Sequence, residues 1–202
     1  MANAKSMTLL ILSLIFLVNP SGCGAAESST SAANMPDGAD NTAEATAISW
    51  HREVEEAKAS ASERDAIIMV DVYTDWCHWC KELDKNVFTD RQVINLSSKI
   101  VNLKVNAEDN GQGTALAQKF NVQGYPTILF ITADGREVDR IGGYLAPEDF
   151  AKEMDRIVSG EGTYLSYSKA VDEGTLASSK RLDALAKFMS RQDQTRVKEV
   201  AE

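Results

Sequence analysis

Large apolar side chains are nearly absent from Gly24 to Thr46 and recur at regular spacing from Ile48 onward, which marks where the folded part begins. Trp50, Val54 and Ala57 fall on one side of a helix that Ser49 could cap and that runs to about Ser62. Ala66 to Tyr73 is an apolar, β-branched run, the pattern of a strand covered on both faces. A helix follows from Cys77 to about Asn86, and Thr89-Asp90 opens another over Arg91 to Ser98. Between Ile100 and Asn106, Val101, Leu103 and Val105 alternate with Asn102, Lys104 and Asn106, which predicts a strand with one polar face. Asp109-Asn110-Gly111 breaks the chain before a short helix over Thr114 to Phe120. Asp134-Gly135 then joins strands Thr127–Thr132 and Glu137–Ile141 as a hairpin. Pro147 and Gly160 frame a last helix ending at Ser159. Alternation closed by a hairpin predicts an α/β fold: a central mixed sheet flanked by helices on both faces.

The flanks read differently. Residues 1–23 hold Lys5 and the apolar run Met7 to Val18. Twelve residues span roughly 18 Å as a helix, against about 30 Å of bilayer hydrocarbon. That length fits a secretory signal peptide and predicts a periplasmic or other extracytoplasmic protein. Two processing routes stay open. Pro20-Ser21-Gly22-Cys23 resembles a lipoprotein box, which would lipidate Cys23 and anchor the chain to a membrane, although Pro20 stands where an aliphatic residue is usual. Gly24-Ala25-Ala26 offers an ordinary cleavage site instead. Residues 24–47 are small, polar and acidic and read as a flexible linker. The last segment, 161–202, predicts a helical C-terminal extension. Leu182, Leu185, Ala186 and Met189 share one face of a helix over Leu176 to Arg191, and Tyr164 to Glu173 is a second candidate helix. These helices either pack on the domain of residues 48–160 or fray, or else present a face to a partner.

Composition narrows the function. Among 202 residues the net charge is −9 with no basic run, which disfavours nucleic acid as a partner. Once Cys23 is set aside, only Cys77 and Cys80 remain, too few for a disulfide scaffold.

These two cysteines sit in Trp76-Cys77-His78-Trp79-Cys80, directly after the first predicted strand. A helix leaves its first N–H groups unpaired and carries partial positive charge at that end. A sulfur placed there is stabilised as thiolate. Free cysteine titrates near about 8.5, so a helix start and a cationic His78 would make Cys77 the attacking sulfur, with Cys80 further in and more buried as its resolving partner. As a structural staple, so short a loop contributes only about 2 kcal/mol. A structural zinc site needs four ligands, and one cysteine pair with two histidines does not furnish them, so no metal is expected.

With those residues in view, 48 to about 158 resemble a thioredoxin-fold domain. They look most like the periplasmic C-terminal domain of the thiol:disulfide interchange protein DsbD and related thioredoxin-like proteins. The resemblance rests on Val70-Asp71-Val72-Tyr73, Asp75-Trp76-Cys77-x-x-Cys80-Lys81-Glu82, Phe88-Thr89-Asp90-Arg91-Gln92-Val93, Val105-Asn106 and Gly124-Tyr125-Pro126-Thr127-Ile128-Leu129-Phe130. It implies that Trp76 shields the sulfurs, and that Pro126 is a cis-proline docking an extended substrate segment with the Tyr125 backbone. It further implies that Asp71 is a buried acid assisting proton transfer at Cys80, with Lys104 beside it. An Asp at a strand edge and an outward-facing Lys are the alternatives. His78-Trp79 departs from the Gly-Pro of thioredoxin and the Pro-His of the oxidant DsbA. That intervening pair tunes a potential spanning about −270 to −120 mV across those two proteins. The implied activity is a protein-disulfide oxidoreductase, more a reductase than an oxidase, with the Cys77–Cys80 pair as its redox centre and no other cofactor. Its partners would be disulfide-containing periplasmic proteins and a membrane thiol–disulfide electron transporter. An oxidase or isomerase, or a non-catalytic metallochaperone, are the readings set against it.

Overall fold

β1 (Ile68–Tyr73) is the centre of the sheet, and its composition explains why. Every residue from Ile68 to Val72 is buried, so the strand needs neighbours on both edges and cover on both faces. The structure, a computed structural model, describes residues 45–201. The predicted signal peptide, Cys23 and most of the linker lie outside the described residues. β2 (Val101–Asn106) pairs with β1 in parallel, Val70 opposite Leu103 and Asp71 opposite Lys104. β3 (Thr127–Ile131) pairs on the other edge, antiparallel, and β4 (Glu137–Gly142) completes the hairpin. The order is β2-β1-β3-β4, the mixed sheet that the pattern predicts.

Two apolar layers cover the sheet. Ile68, Val70 and Val72 pack with Leu103 and Leu129 against α1 (Val54–Arg64) and α4 (Gln112–Lys119). On the other face Met69, Ile128 and Phe130 meet Leu83, Phe88 and Val93 together with Phe150 and Met154. Those partners come from the π-helical turn Leu83–Val87 that continues α2 (His78–Glu82), from Phe88 at its end, and from α3 (Arg91–Ser97) and α5 (Pro147–Val158). Asp90 caps α3 by accepting from the Gln92 and Val93 N–H groups at 2.9 and 3.2 Å. Pro147 stands in the first turn of α5.

The first helix differs from the reading of the pattern. It begins at Val54, four residues later than a Ser49 cap implies. The intervening backbone is held along β2: the His51 N–H donates to the Asn102 carbonyl at 2.8 Å and the Lys104 N–H donates to the His51 carbonyl at 3.1 Å. Gln112 supplies the cap instead, its Oε1 accepting from the Val54 N–H at 2.8 Å. Nor is the alternate face of β2 solvated, for Asn102 and Lys104 are buried.

Gly113 fixes how closely α4 approaches β2. A Cβ there would lie 2.0 Å from the Asn106 carbonyl oxygen, far inside van der Waals contact. Asp109 accepts from the Gly111, Gly113 and Thr114 N–H groups just ahead of it, ordering the turn.

The C-terminal segment folds as α6 (Tyr164–Asp172), α7 (Arg181–Ser190) and α8 (Gln194–Ala201). Their own small core gathers Tyr167, Ala184, Phe188 and Val200. The apolar stripe that the spacing predicts is not the buried face of α7: Leu182 and Met189 are 79% and 63% exposed. Charge pairing sets the rotation of this helix. Asp139 of β4 is fully buried, and its carboxylate receives Arg156 at 2.7 Å, Lys187 at 2.6 Å and Arg191. Lys187 and Arg191 lie one turn apart beside Ala184 and Phe188, so satisfying Asp139 turns that side inward. Among the described residues no helix is long and apolar enough to cross a membrane.

Candidate active site

Cys77 is the N-cap residue of α2, and the helix starts there because β1 ends at Tyr73 and the Cys77 N–H closes a turn onto the Thr74 carbonyl at 3.2 Å. Cys77 and Cys80 are disulfide-bonded, with Cα atoms 5.3 Å apart. The Cys80 N–H donates to Cys77 Sγ at 3.0 Å, so the sulfur occupies the position of a capping oxygen at the positive end of the helix. Contrary to the expected difference in burial, both cysteines are 3% exposed. In the bonded state the Cys77 sulfur is turned in toward Cys80, which equalises them.

Aromatic rings surround the pair. Trp76 is 66% exposed, and its indole N–H donates to the Glu108 carboxylate, 3.0 Å from either oxygen. The same ring meets Tyr125 edge-on with centroids 6.0 Å apart, which brings the cysteine turn to the Tyr125–Pro126 loop. The peptide bond between those two residues is cis. Pro126 is buried, and its carbonyl accepts from the Gly143 N–H at 2.9 Å, tying the loop to the end of β4. Trp79 is half exposed and lies between His78 and Tyr144, its ring centroid 5.3 and 5.2 Å from theirs. Sequence reasoning missed Tyr144 and Glu108, which carry no motif and are recruited only by the fold.

Beneath α2 is a buried charged cluster. Asp71 is fully buried, with Lys104 Nζ 2.8 Å from its Oδ2. Among the described residues no donor besides this ammonium is directed at the carboxylate. Burial therefore dominates, raising the Asp71 pKa to about 6, although Lys104 pulls it back. Lys104 is itself raised: burial opposes its charge, but Asp71 and Asp84 together outweigh that. Its Nζ also lies 5.0 Å from the Tyr73 ring centroid and 5.6 Å from that of Phe88. Asp84 was not singled out by the sequence. It pairs with Lys104 from one turn beyond Cys80 on the same helical run and is half exposed, so the cluster reaches solvent through it. The structure thus brings Cys77, Cys80, Trp76, Tyr125, Pro126, His78 and Trp79 to one end of the sheet, with Asp71 and Lys104 underneath. Among the described residues no three His, Cys, Asp or Glu side chains are placed to hold a metal ion.

A mixed sheet in this strand order, with a Cys-x-x-Cys disulfide capping the helix after β1 and a cis-proline loop beside it, defines the class of thioredoxin-fold thiol–disulfide proteins. A family model described as a thioredoxin-like domain matches residues 54–157, and the chain belongs to the thioredoxin-like family of thiol–disulfide oxidoreductases. The thiol:disulfide interchange protein DsbD of Pseudoalteromonas atlantica is 35% identical over 107 residues, 52% of this chain and 18% of that protein. Its counterpart from Haemophilus ducreyi is 40% identical over 93 residues, 45% of this chain and 16% of that protein. The chain therefore spans less than a fifth of the length of these curated relatives. Among solved structures, a putative disulphide-isomerase from Bacteroides thetaiotaomicron superimposes with a TM-score of 0.51 at 35% identity, covering 59% of this chain and 99% of that one.

Proposed function

We propose that this protein is an exported thiol–disulfide oxidoreductase that reduces disulfides of periplasmic proteins through Cys77 and Cys80. The observation that carries the reading is the disulfide at the start of α2 together with the buried acid behind it, whose pKa of about 6 suits proton exchange with a thiol near neutral pH. In the reduced protein, Cys77 thiolate attacks a substrate sulfur, forming a mixed disulfide and releasing the first substrate thiolate. Cys80 passes its proton to Asp71 and attacks Cys77 Sγ, which releases the second substrate thiolate. Two electrons leave the protein dithiol, the substrate takes up two protons, and Cys77–Cys80 is left oxidised. The pair carries the electrons itself, without a further cofactor. A membrane thiol–disulfide electron transporter would return the protein to its dithiol form, as the likeness to a thiol:disulfide interchange protein supports.

In this reading Tyr125 and Pro126 align an extended substrate segment, Trp76 and Trp79 flank it, and Lys104 and Asp84 adjust the Asp71 charge that burial chiefly sets. Insulin reduction by dithiothreitol, with and without catalytic protein, provides the test. Wild type should accelerate precipitation and Cys77→Ser should not, whereas equal rates would remove the assignment. Titration against glutathione, followed by Trp76 and Trp79 fluorescence, checks direction. A potential near or below about −230 mV fits a reductant, and one near about −120 mV would make it an oxidant.

A further inference from the structure

Next to the Pro126 loop lies a cleft of about 390 Å³ that the thioredoxin-like domain does not build alone. One wall is Gln123 to Thr127 and the end of β4 at Gly142-Gly143; the other is Ser190, Arg191 and Gln192, where α7 turns toward α8. That second wall lies outside the 54–157 span of the family match. It is fixed in place by the charge network on β4, through Arg191 to Asp139 and to Glu137 at 3.1 Å.

The cleft's chemistry is one-sided. Its lining includes Arg140 and Arg191 and the amide residues Asn121, Gln123 and Gln192, with no Asp or Glu. The anions that partner the arginines, Glu137 and Asp139, are buried behind them. Arg140 pairs with Glu137, and Arg191 with Glu137 and Asp139, so this wall presents guanidinium groups that hold their carboxylates on the side away from the opening. On a chain of net charge −9, a cleft lined by arginine and amide residues with no Asp or Glu among them favours anions over cations. The volume lies within the range of about 300–1,000 Å³ usual for ligand sites. The cleft is also open beyond Gly142, where an added Cβ would meet nothing within 4 Å.

The geometry points to a substrate subsite: the cleft takes polypeptide flanking the target cysteine as it leaves the Tyr125–Pro126 loop, and it selects acidic side chains there. This rests on the oxidoreductase reading for its place in catalysis, but binding can be measured without turnover. The probe is a pair of peptides with serine at the cysteine position, identical except for Glu or Gln in the two positions on either side. Binding to the oxidised protein is followed by amide shifts of Gly142, Gly143 and Gln192. The Glu peptide should bind about threefold to fivefold more tightly at low salt, the scale of one partly exposed ion pair. Gln192→Glu, nearly isosteric, should abolish that preference, and Gly142→Leu should weaken both peptides by filling the cleft. Equal affinities in wild type, or a preference unchanged in Gln192→Glu, would overturn the subsite. The same sequences presented as disulfides separate the two conclusions. Turnover without a Glu preference removes the subsite alone, while selective binding with no reduction of either peptide or of insulin removes the oxidoreductase reading alone.

Discussion

Replacing Asp71 with Asn separates the energetic cost of the buried acid from its chemical work. The folded carboxyl titrates near about 6 and the unfolded one near 3.8, so the native protein holds this proton more tightly. Stability therefore falls as pH rises from about 3.8 toward 6 and levels off above that. Two pKa units at about 1.4 kcal/mol each give a penalty of about 3 kcal/mol at pH 8. The attraction of Lys104 is already contained in that figure, because it is one of the causes that hold the shift down. Asparagine mimics the protonated acid, so Asp71→Asn should be more stable than wild type by about 3 kcal/mol at pH 8 and by only about 1 kcal/mol at pH 4.5. The same variant should lose reductase activity, since Cys80 has lost its proton acceptor. Urea unfolding of both oxidised proteins at the two pH values measures the difference. A variant less stable than wild type at pH 8, or a gain independent of pH, would refute the argument that burial governs Asp71.

Two further outcomes concern the frame around the site. Gly113→Ala puts a methyl group 2.0 Å from the Asn106 carbonyl oxygen and should cost about 1–3 kcal/mol in chemical denaturation, with α4 displaced from β2. Asp139→Asn leaves Arg156, Lys187 and Arg191 without their shared anion; because these cations are partly solvated, about 3 kcal/mol is the expected loss, and hydrogen exchange should rise in α7 before it rises in β1.

Local signals carried the central part of the fold. A buried apolar strand, two cysteines at the start of a helix and an Asp-Gly hairpin are each specified within a few residues, and the structure has them in that order. What was not legible depends on partners distant in sequence. Ser49 is a good cap, yet the backbone after it forms a strand-like bridge to Leu103, and that pairing overrides the local preference. The alternating pattern alone reads Lys104 as a solvated lysine; the family resemblance sets it beside Asp71, and its second partner, Asp84, appears only once the helix is folded over the strand. The rotation of α7 was misread for the same reason: its apolar spacing is outweighed by Asp139, a residue with no signal of its own in the sequence.

The sulfur of Cys77 also acts as the first hydrogen-bond acceptor of α2. Reactivity and helix initiation thus depend on one atom, and the choice of knockout matters. Serine keeps an oxygen where the Cys80 N–H points, so it removes the redox step while preserving the turn. Alanine removes both, at a further cost of about 1 kcal/mol in lost capping. A mixed-disulfide trap or inactive control built with alanine at this position would report partly on a frayed helix, and the serine variant is the one whose silence can be assigned to chemistry.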